Sequence, residues 1–199
     1  MCNTHENAFI VYHSLNEQSV KSMTEKNIIP TYVLSNRASM RVARISIFTA
    51  LAVVGSFIKP NPASSIAFDS FAGFFVALSF GAFEGALVCG FGHLATAIIS
   101  GFPLGILHLP IALGMALAGA AIGLTNKVNK KWGFIFALVI GVAINTIMVF
   151  PLAPWLGGAT LNEGLLIASG LAPTLLIVAS LNAVVAGLVF VALRGKLKT

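Results

Sequence analysis

Residues 92–110 read GHLATAIISGFPLGILHLP, and this stretch decides the fold class of the chain. It is apolar enough to enter a bilayer, yet it carries two histidines, His93 and His108. Glycine and proline interrupt it at residues 100–105, and these residue types mark turns. The pattern therefore predicts the end of one transmembrane helix, an external loop and the start of the next helix.

The composition of the whole chain points to the same environment. Of its 199 residues, 57% are hydrophobic and only 9% are charged, whereas a soluble domain carries roughly 25% charged residues. A chain of this length cannot bury so much apolar surface in its own core, so we expect an integral membrane protein. The net charge of +6 comes from short basic clusters between apolar runs, which is a poor match to nucleic-acid binding. Two cysteines, Cys2 and Cys89, support neither a disulfide framework nor a zinc site.

The apolar runs predict an all-α fold with six transmembrane helices. Their expected bounds are 42–58, 66–80, 86–100, 105–124, 133–150 and 173–191. Because Gly170 and Pro173 interrupt the last apolar stretch, a short surface helix is expected before Gly170. Residues 1–40 are polar and lack helical periodicity, so we expect a disordered cytoplasmic extension ahead of a membrane domain at 41–199. Met23 or Met40 is an alternative start.

The basic residues set the expected orientation. Six spans place both termini on one side, and loops on the cytoplasmic side carry the excess of lysine and arginine. One set of boundaries contains Arg37, Arg41, Arg44, Lys127, Lys130, Lys131, Arg194, Lys196 and Lys198, and the other contains only Lys59. Both termini are therefore predicted to be cytoplasmic.

Asp69 is the first candidate for substrate binding. It lies near the start of the second predicted span, beside Phe68 and other phenylalanines that suit a flat heteroaromatic ring. An ionisable residue at membrane depth costs at least a few kcal/mol and usually faces the bundle interior. Asp69 could accept a hydrogen bond from a ligand hydroxyl or ring N–H. Alternatively, it is a helix-terminal residue stabilised by the helix dipole and Lys59.

Three further polar residues are candidates for the same site. His108 opens the fourth predicted span and is either a ligand contact or an interfacial histidine. His93 and Asn145 lie deeper, where they could contact a ligand or join helices through hydrogen bonds. Glu84 falls in a tight turn and is expected to be solvated. The predicted substrate-binding residues are thus Asp69, His108, His93, Asn145 and Phe68.

Small residues on the first span suggest a surface for another helix. Ser46 and Ala50 are four residues apart, and small residues at this spacing let a second helix approach closely. Packing inside the same bundle is the alternative. The chain contains no G-x-x-x-x-G-K-[ST], no H-E-x-x-H and no G-x-S-x-G motif. We therefore expect no ATP site of its own, no cofactor and no metal.

Several segments resemble the substrate-binding S components of energy-coupling factor (ECF) vitamin transporters. They are ALAVVGSFIKP at 50–60, AFDSFAGFF at 67–75, GHLATA at 92–97, GFPLG at 101–105, and His108 with Leu109. The resemblance covers about residues 41–195, and within the family the group assigned to alpha-ribazole, a cobalamin precursor, is the most similar. It implies a plasma-membrane subunit that captures a vitamin at the outer face and associates with a transmembrane T component and two ATPases. The family's first helix often carries an Ala-x-x-x-Ala contact for the T component, and Ser46 and Ala50 take those positions here.

Other functions also fit these residues. Riboflavin, pantothenate or cobalamin itself could be the vitamin instead of alpha-ribazole. A purely structural membrane scaffold is a second class. A third is an intramembrane enzyme that uses His93 and His108 with Asp69 or Glu84. Catalysis needs its groups within about 3 Å of a common reacting atom, and the two histidines are expected on different spans at unequal depths.

Overall fold

The computed structural model describes residues 29–60, 66–129, 132–152 and 160–196. It divides the chain into two compact units, Met1–Ala43 and Arg44–Thr199. The described part of the first unit, residues 29–43, is helical. The helix bundle and the candidate functional site belong to the second unit.

Regular structure in the described ranges is entirely helical, which confirms the all-α prediction for that part of the chain. The α-helices are α1 (Ile29–Gly55), α2 (Ser70–Phe80), α3 (Ala82–Ile99), α4 (His108–Thr125), α5 (Gly133–Ile147) and α6 (Leu161–Leu193). Two short 3₁₀ turns, Gly105–Leu107 and Phe150–Leu152, lie next to α4 and after α5. The helix–loop–helix arrangement predicted for residues 92–110 is therefore present.

Four of these helices are long and apolar enough to cross a membrane. The candidate spans are Ala38–Gly55, Ala82–Ile99, Gly105–Thr125 and Leu161–Leu193. The apolar helices Ser70–Phe80 and Gly133–Ile147 are shorter than the roughly 20 residues that a full span needs. The six-span topology and the orientation of the termini stay predictions.

The first helix begins earlier than the sequence indicated. The expected start was residue 42, whereas α1 begins at Ile29 and ends at Gly55. Most of the predicted extension at 1–40 lies outside the described residues and stays a prediction. At the other end of α1, a Cβ on Gly55 would collide with the backbone carbonyl of Phe68. The end of α1 therefore lies directly against the residues that lead into α2.

The predicted break between Gly170 and Pro173 is wrong. Residues 161–193 form one continuous helix, α6, with Pro173 inside it. A proline removes one backbone donor but does not forbid a helix when neighbouring turns hold their bonds. The start of α6 is fixed by a capping box, in which Glu163 N donates to Thr160 Oγ1 (3.2 Å) and Thr160 N donates to Glu163 Oε2 (3.1 Å). At 33 residues and 1.5 Å per residue, α6 is about 50 Å long.

Helix α2 is the centre of the bundle. Eight of its eleven residues are buried, and it packs against α3, α4 and α6. Phe74 and Val76 are fully buried there. This burial on all sides explains how so short a helix is held, since its own hydrogen bonds would not suffice for a helix of this length.

Glu84 is not a solvated turn residue. It is 4% exposed and forms a two-pronged ion pair with Arg44, with Nε 2.8 Å from Oε2 and Nη2 2.6 Å from Oε1. The guanidinium carbon also lies 4.7 Å from the centre of the Phe80 ring. Paired bonds of this geometry are among the stronger polar contacts in proteins. They tie α1 to the beginning of α3, at the end of the bundle away from the cavity described next.

Candidate functional site

The turn after α3 shapes one wall of the site. Gly101 has φ 74° and the following Phe102 has φ 53°. Phe102 N donates to Ala97 O (2.8 Å) and Gly101 N donates to Ile98 O (3.1 Å), which is the bond pattern of a Schellman helix end. The glycine permits the left-handed backbone that this turn requires. The reversed chain then places residues 103–104 in the wall of a cavity.

This cavity has a volume of about 300 Å³ and lies among α2 to α6. Most of its wall is apolar and includes Met115 and Met148. Its polar lining residues are Asp69, Ser70, His93, Asn145 and Asn182. A mostly apolar pocket with a few convergent polar groups is the usual form of a small-molecule site.

Asp69 is buried at the edge of this cavity, where it is 7% exposed. It immediately precedes α2, but its side chain makes no helix-capping bond. Instead, its Oδ1 accepts from Ser70 Oγ (3.0 Å) and its Oδ2 accepts from Thr96 Oγ1 (2.5 Å). The Thr96 hydroxyl also lies 3.0 Å from Gly92 O, but it has one hydrogen, which we assign to the nearer carboxylate.

The alternative role for Asp69, a helix-terminal residue stabilised by the helix dipole and Lys59, is met in part, since Asp69 is the N-cap of α2 and Lys59 attracts it electrostatically. Lys59 Nζ donates to Ser100 Oγ at 2.7 Å, and the described residues contain no ion pair between Lys59 and Asp69. The carboxylate is therefore held by two neutral hydroxyls. A carboxylate has about four lone-pair sites, so it retains capacity for a further donor.

The two histidines are joined, contrary to the expectation of unequal depths. His93 Nε2 lies 3.2 Å from His108 Nδ1, and Leu104 N donates to His108 Nε2 at 3.4 Å. If His108 Nε2 accepts, the neutral ring carries its hydrogen on Nδ1 and donates to His93, an assignment made from the bonding pattern. His93 then carries its own hydrogen on Nδ1, which has no bond to another described residue. His93 is therefore a donor beside the cavity.

His108 supports this arrangement from behind. It is fully buried, and it lies outside the cavity lining. The Phe102 ring packs edge-on against it, with ring centres 5.6 Å apart. Within the described site, His108 thus orients His93 and contributes no surface to the cavity itself.

The two buried asparagines differ in how fully they are bonded. Asn182 is 1% exposed; its Oδ1 accepts from Phe71 N (2.7 Å) and its Nδ2 donates to Val178 O (2.8 Å) and Ala67 O (3.4 Å). Asn182 thereby fastens the start of α2 to α6. Asn145 is 8% exposed, lines the cavity, and has no hydrogen bond to the residues that the structure describes. Its amide is available to a ligand.

The structure brings three of the five predicted site residues to one cavity. Asp69, His93 and Asn145 line it, whereas His108 and Phe68 do not. Phe68 stacks on Phe71, with ring centres 5.6 Å apart. Ligand contact by any of these residues stays a prediction. Sequence reasoning missed the supporting hydroxyls of Ser70 and Thr96, although both lie close in sequence to residues already singled out.

The predicted partner-binding residues lie on a different surface. Ser46 and Ala50 are exposed on α1, one turn apart on the same face of the helix. Ala52, on another face of α1, is fully buried and faces Gly92 of α3, where an added Cβ would lie 3.0 Å from the Ala52 Cβ. The Ser46 and Ala50 side chains therefore point away from the bundle.

Comparison with protein families decides what kind of protein carries this site. The model of the ECF transporter substrate-specific component matches residues 40–194, which is most of the chain. The chain belongs to this family. No curated protein and no solved structure matches it.

Family membership settles the class of function. An ECF substrate-specific component is a membrane-embedded, substrate-binding transport subunit and not an enzyme. The interpretation as an intramembrane enzyme is therefore wrong, even though His93 and His108 meet. The family also implies a small-molecule substrate and partnership with T and ATPase modules.

Proposed function

We propose that this ECF substrate-specific component captures alpha-ribazole at the cavity lined by Asp69, His93 and Asn145. The observation that carries the proposal is the meeting of these three buried side chains, from three different helix regions, at one cavity of about 300 Å³. Alpha-ribazole has a flat heteroaromatic base and ribose hydroxyls. The hydroxyls suit the Asp69 carboxylate, and the apolar wall suits the base.

Cavity size supports a small ligand of this kind. Ligand pockets range over about 300–1,000 Å³, so this one is at the lower end. Intact cobalamin, with its corrin macrocycle, would require the helices to part. Among the vitamins considered, the size argument favours alpha-ribazole, riboflavin and pantothenate, and sequence resemblance favours alpha-ribazole among these.

The proposed topology places the site at the outer face. With six spans and both termini cytoplasmic, the helix ends that are flanked by lysine and arginine lie on the cytoplasmic side. Helix α3 would then run from Glu84 at the inner end to Ser100 at the outer end. The cavity and the turn at residues 101–107 would be open to ligand from outside, as capture requires.

Direct binding tests the proposal. The purified protein in lipid nanodiscs, without ATP or partner subunits, should bind alpha-ribazole saturably at one site in isothermal titration. Riboflavin, pantothenate and cobalamin form the comparison set. Tight binding of riboflavin with none of alpha-ribazole would contradict the substrate assignment and leave the capture function in place.

The exposed pair on α1 is proposed as the contact for the T component. Ser46→Trp or Ala50→Trp should leave ligand binding by the isolated protein unchanged, because neither residue lines the cavity. A large ring there prevents the close helix approach that small residues permit. We expect uptake by the complete complex, and co-purification with the T component, to fall at least about tenfold, equivalent to about 1.4 kcal/mol.

The matched control is Leu188→Trp, at a residue of α6 that is 67% exposed and already large. It should leave both uptake and co-purification near the wild-type level. Normal uptake by both α1 variants would show that the T component binds another surface.

A further inference from the structure

The cavity has a one-sided distribution of charge. Its described lining contains one acidic residue, Asp69, and neither lysine nor arginine. Segments 61–65 and 153–159, which lie outside the described residues, contain no lysine, arginine or histidine in the sequence. Lys59 is outside the lining and is bonded to Ser100. The described lining therefore offers an anionic ligand no cationic side chain, and Lys59 acts on Asp69 only through a longer-range attraction.

The helix end that borders the cavity already has a carboxylate in front of it. The N-terminus of a helix can bind an anion through its free N–H groups, and α2 begins at the cavity. However, Asp69 lies in front of that terminus, and the Phe71 N–H is already bonded to Asn182 Oδ1 at 2.7 Å. The Leu104 N–H, at the turn before α4, is directed to His108.

The unsatisfied groups define what a ligand must present. Both oxygens of Asp69 accept hydrogen bonds from hydroxyls, as those of an ionised carboxylate do, and an ionised carboxylate requires a ligand N–H or O–H. The Asn145 amide is over nine-tenths buried and both donates and accepts. His93 is likewise over nine-tenths buried and donates through Nδ1. The Asn145 amide and the Nδ1 of His93 thus have no hydrogen-bond partner among the described residues, and both residues line the cavity. A ligand that covers these groups without bonding to them would leave them unsatisfied, which is costly.

We propose that this cavity selects ligands that carry no carboxylate or phosphate and that donate a hydrogen bond to Asp69. The inference rests on the proposed capture function and specifies its substrate class. A negative charge placed beside an ionised Asp69 meets like-charge repulsion. The anionic members of the vitamin set, pantothenate among them, are therefore excluded by charge, independently of their shape.

Two compound pairs that differ only by a phosphate test this proposal. They are alpha-ribazole with alpha-ribazole 5′-phosphate, and riboflavin with FMN, titrated against the full chain in nanodiscs. For whichever pair binds, the uncharged member should bind at least about a hundredfold more tightly. Equal affinity for the two members would overturn the inference and leave the capture function standing. If none of the four compounds binds, the cavity is not their capture site, and the proposed selection by charge is wrong as well.

Asp69→Asn separates charge from shape. The asparagine keeps one acceptor, so affinity for the uncharged member should fall by roughly 3- to 30-fold. The ratio between the affinities for the uncharged and the phosphorylated compound should shrink at least about tenfold, because the repelling charge is gone. Glu84→Gln is the control, since it removes the same charge twelve residues earlier on α3 than Thr96, about 18 Å along the helix. It should leave the preference unchanged.

A second variant distinguishes a general loss of binding from a loss of charge selection. Asn145→Ala removes a neutral group from the same cavity, so it should weaken both members of a pair by a similar factor and keep their ratio. Asp69→Asn could retain the wild-type ratio between the affinities for the uncharged and the phosphorylated compound while its thermal unfolding is normal. In that case Asp69 does not cause the preference for uncharged ligands. The same conclusion follows if Asn145→Ala changes the ratio as much as Asp69→Asn does.

Discussion

Ala179→Phe should eliminate ligand binding while leaving the protein folded. Ala179 is 2% exposed on α6 and lines the cavity. A phenyl ring at this position would occupy much of a volume of only about 300 Å³. Because the ring enters existing space, the overpacking cost should be at or below the usual range of about 1–3 kcal/mol. Affinity for alpha-ribazole should fall at least about a hundredfold, equivalent to about 2.7 kcal/mol, as measured by isothermal titration.

Val184→Phe is the matched control for this variant. Val184 lies on the same helix but is 57% exposed, so its added ring should contact lipid. We expect wild-type affinity and nearly wild-type thermal unfolding. If Ala179→Phe binds the ligand as tightly as Val184→Phe does, the ligand occupies a site other than this cavity.

The helices could be predicted from the sequence because their signal is local. Runs of apolar residues and the glycine–proline interruption at 100–105 located α3 and α4 within a few residues. Pro173 misled the prediction for α6, since a proline is a local signal against a helix whereas its tolerance depends on the packing of the whole bundle. The Thr160 and Glu163 capping box was a readable start signal for α6 that the apolar pattern had obscured.

The site could be predicted in part, because membership of the cavity depends on helix rotation. Asp69, His93 and Asn145 were singled out because buried polar groups in a membrane need a reason. The same reasoning selected His108, but it cannot tell which side of α4 faces the cavity. Sequence reasoning also could not show that the Asn182 amide is hydrogen-bonded to the backbone of Ala67 and Phe71. Distinguishing a bonded from an available asparagine requires the tertiary contacts.

The meeting of His93 with His108 depends on how closely α3 and α4 approach, and glycines set that approach. A Cβ on Gly119 would lie 2.5 Å from the carbonyl oxygen of Gly85 and 2.9 Å from Cys89 Sγ. A backbone carbonyl cannot rotate away as a flexible side chain can. Any larger residue at Gly119 must therefore separate the two helices.

Gly119→Ala should consequently destabilise the protein, although alanine favours a helix by roughly 0.5–1 kcal/mol over glycine. The overpacking cost of about 1–3 kcal/mol should outweigh that gain. Thermal unfolding in detergent should show a lower midpoint, and ligand affinity should fall as well, because displacement of α4 weakens the support that His108 gives to His93. Gly170→Ala is the matched control, since nothing lies within 4 Å of a Cβ there; it should leave the midpoint unchanged or raise it. If the two alanine variants shift the midpoint in the same direction and by the same amount, α3 and α4 are not in this close contact, and the histidine pair does not form as described.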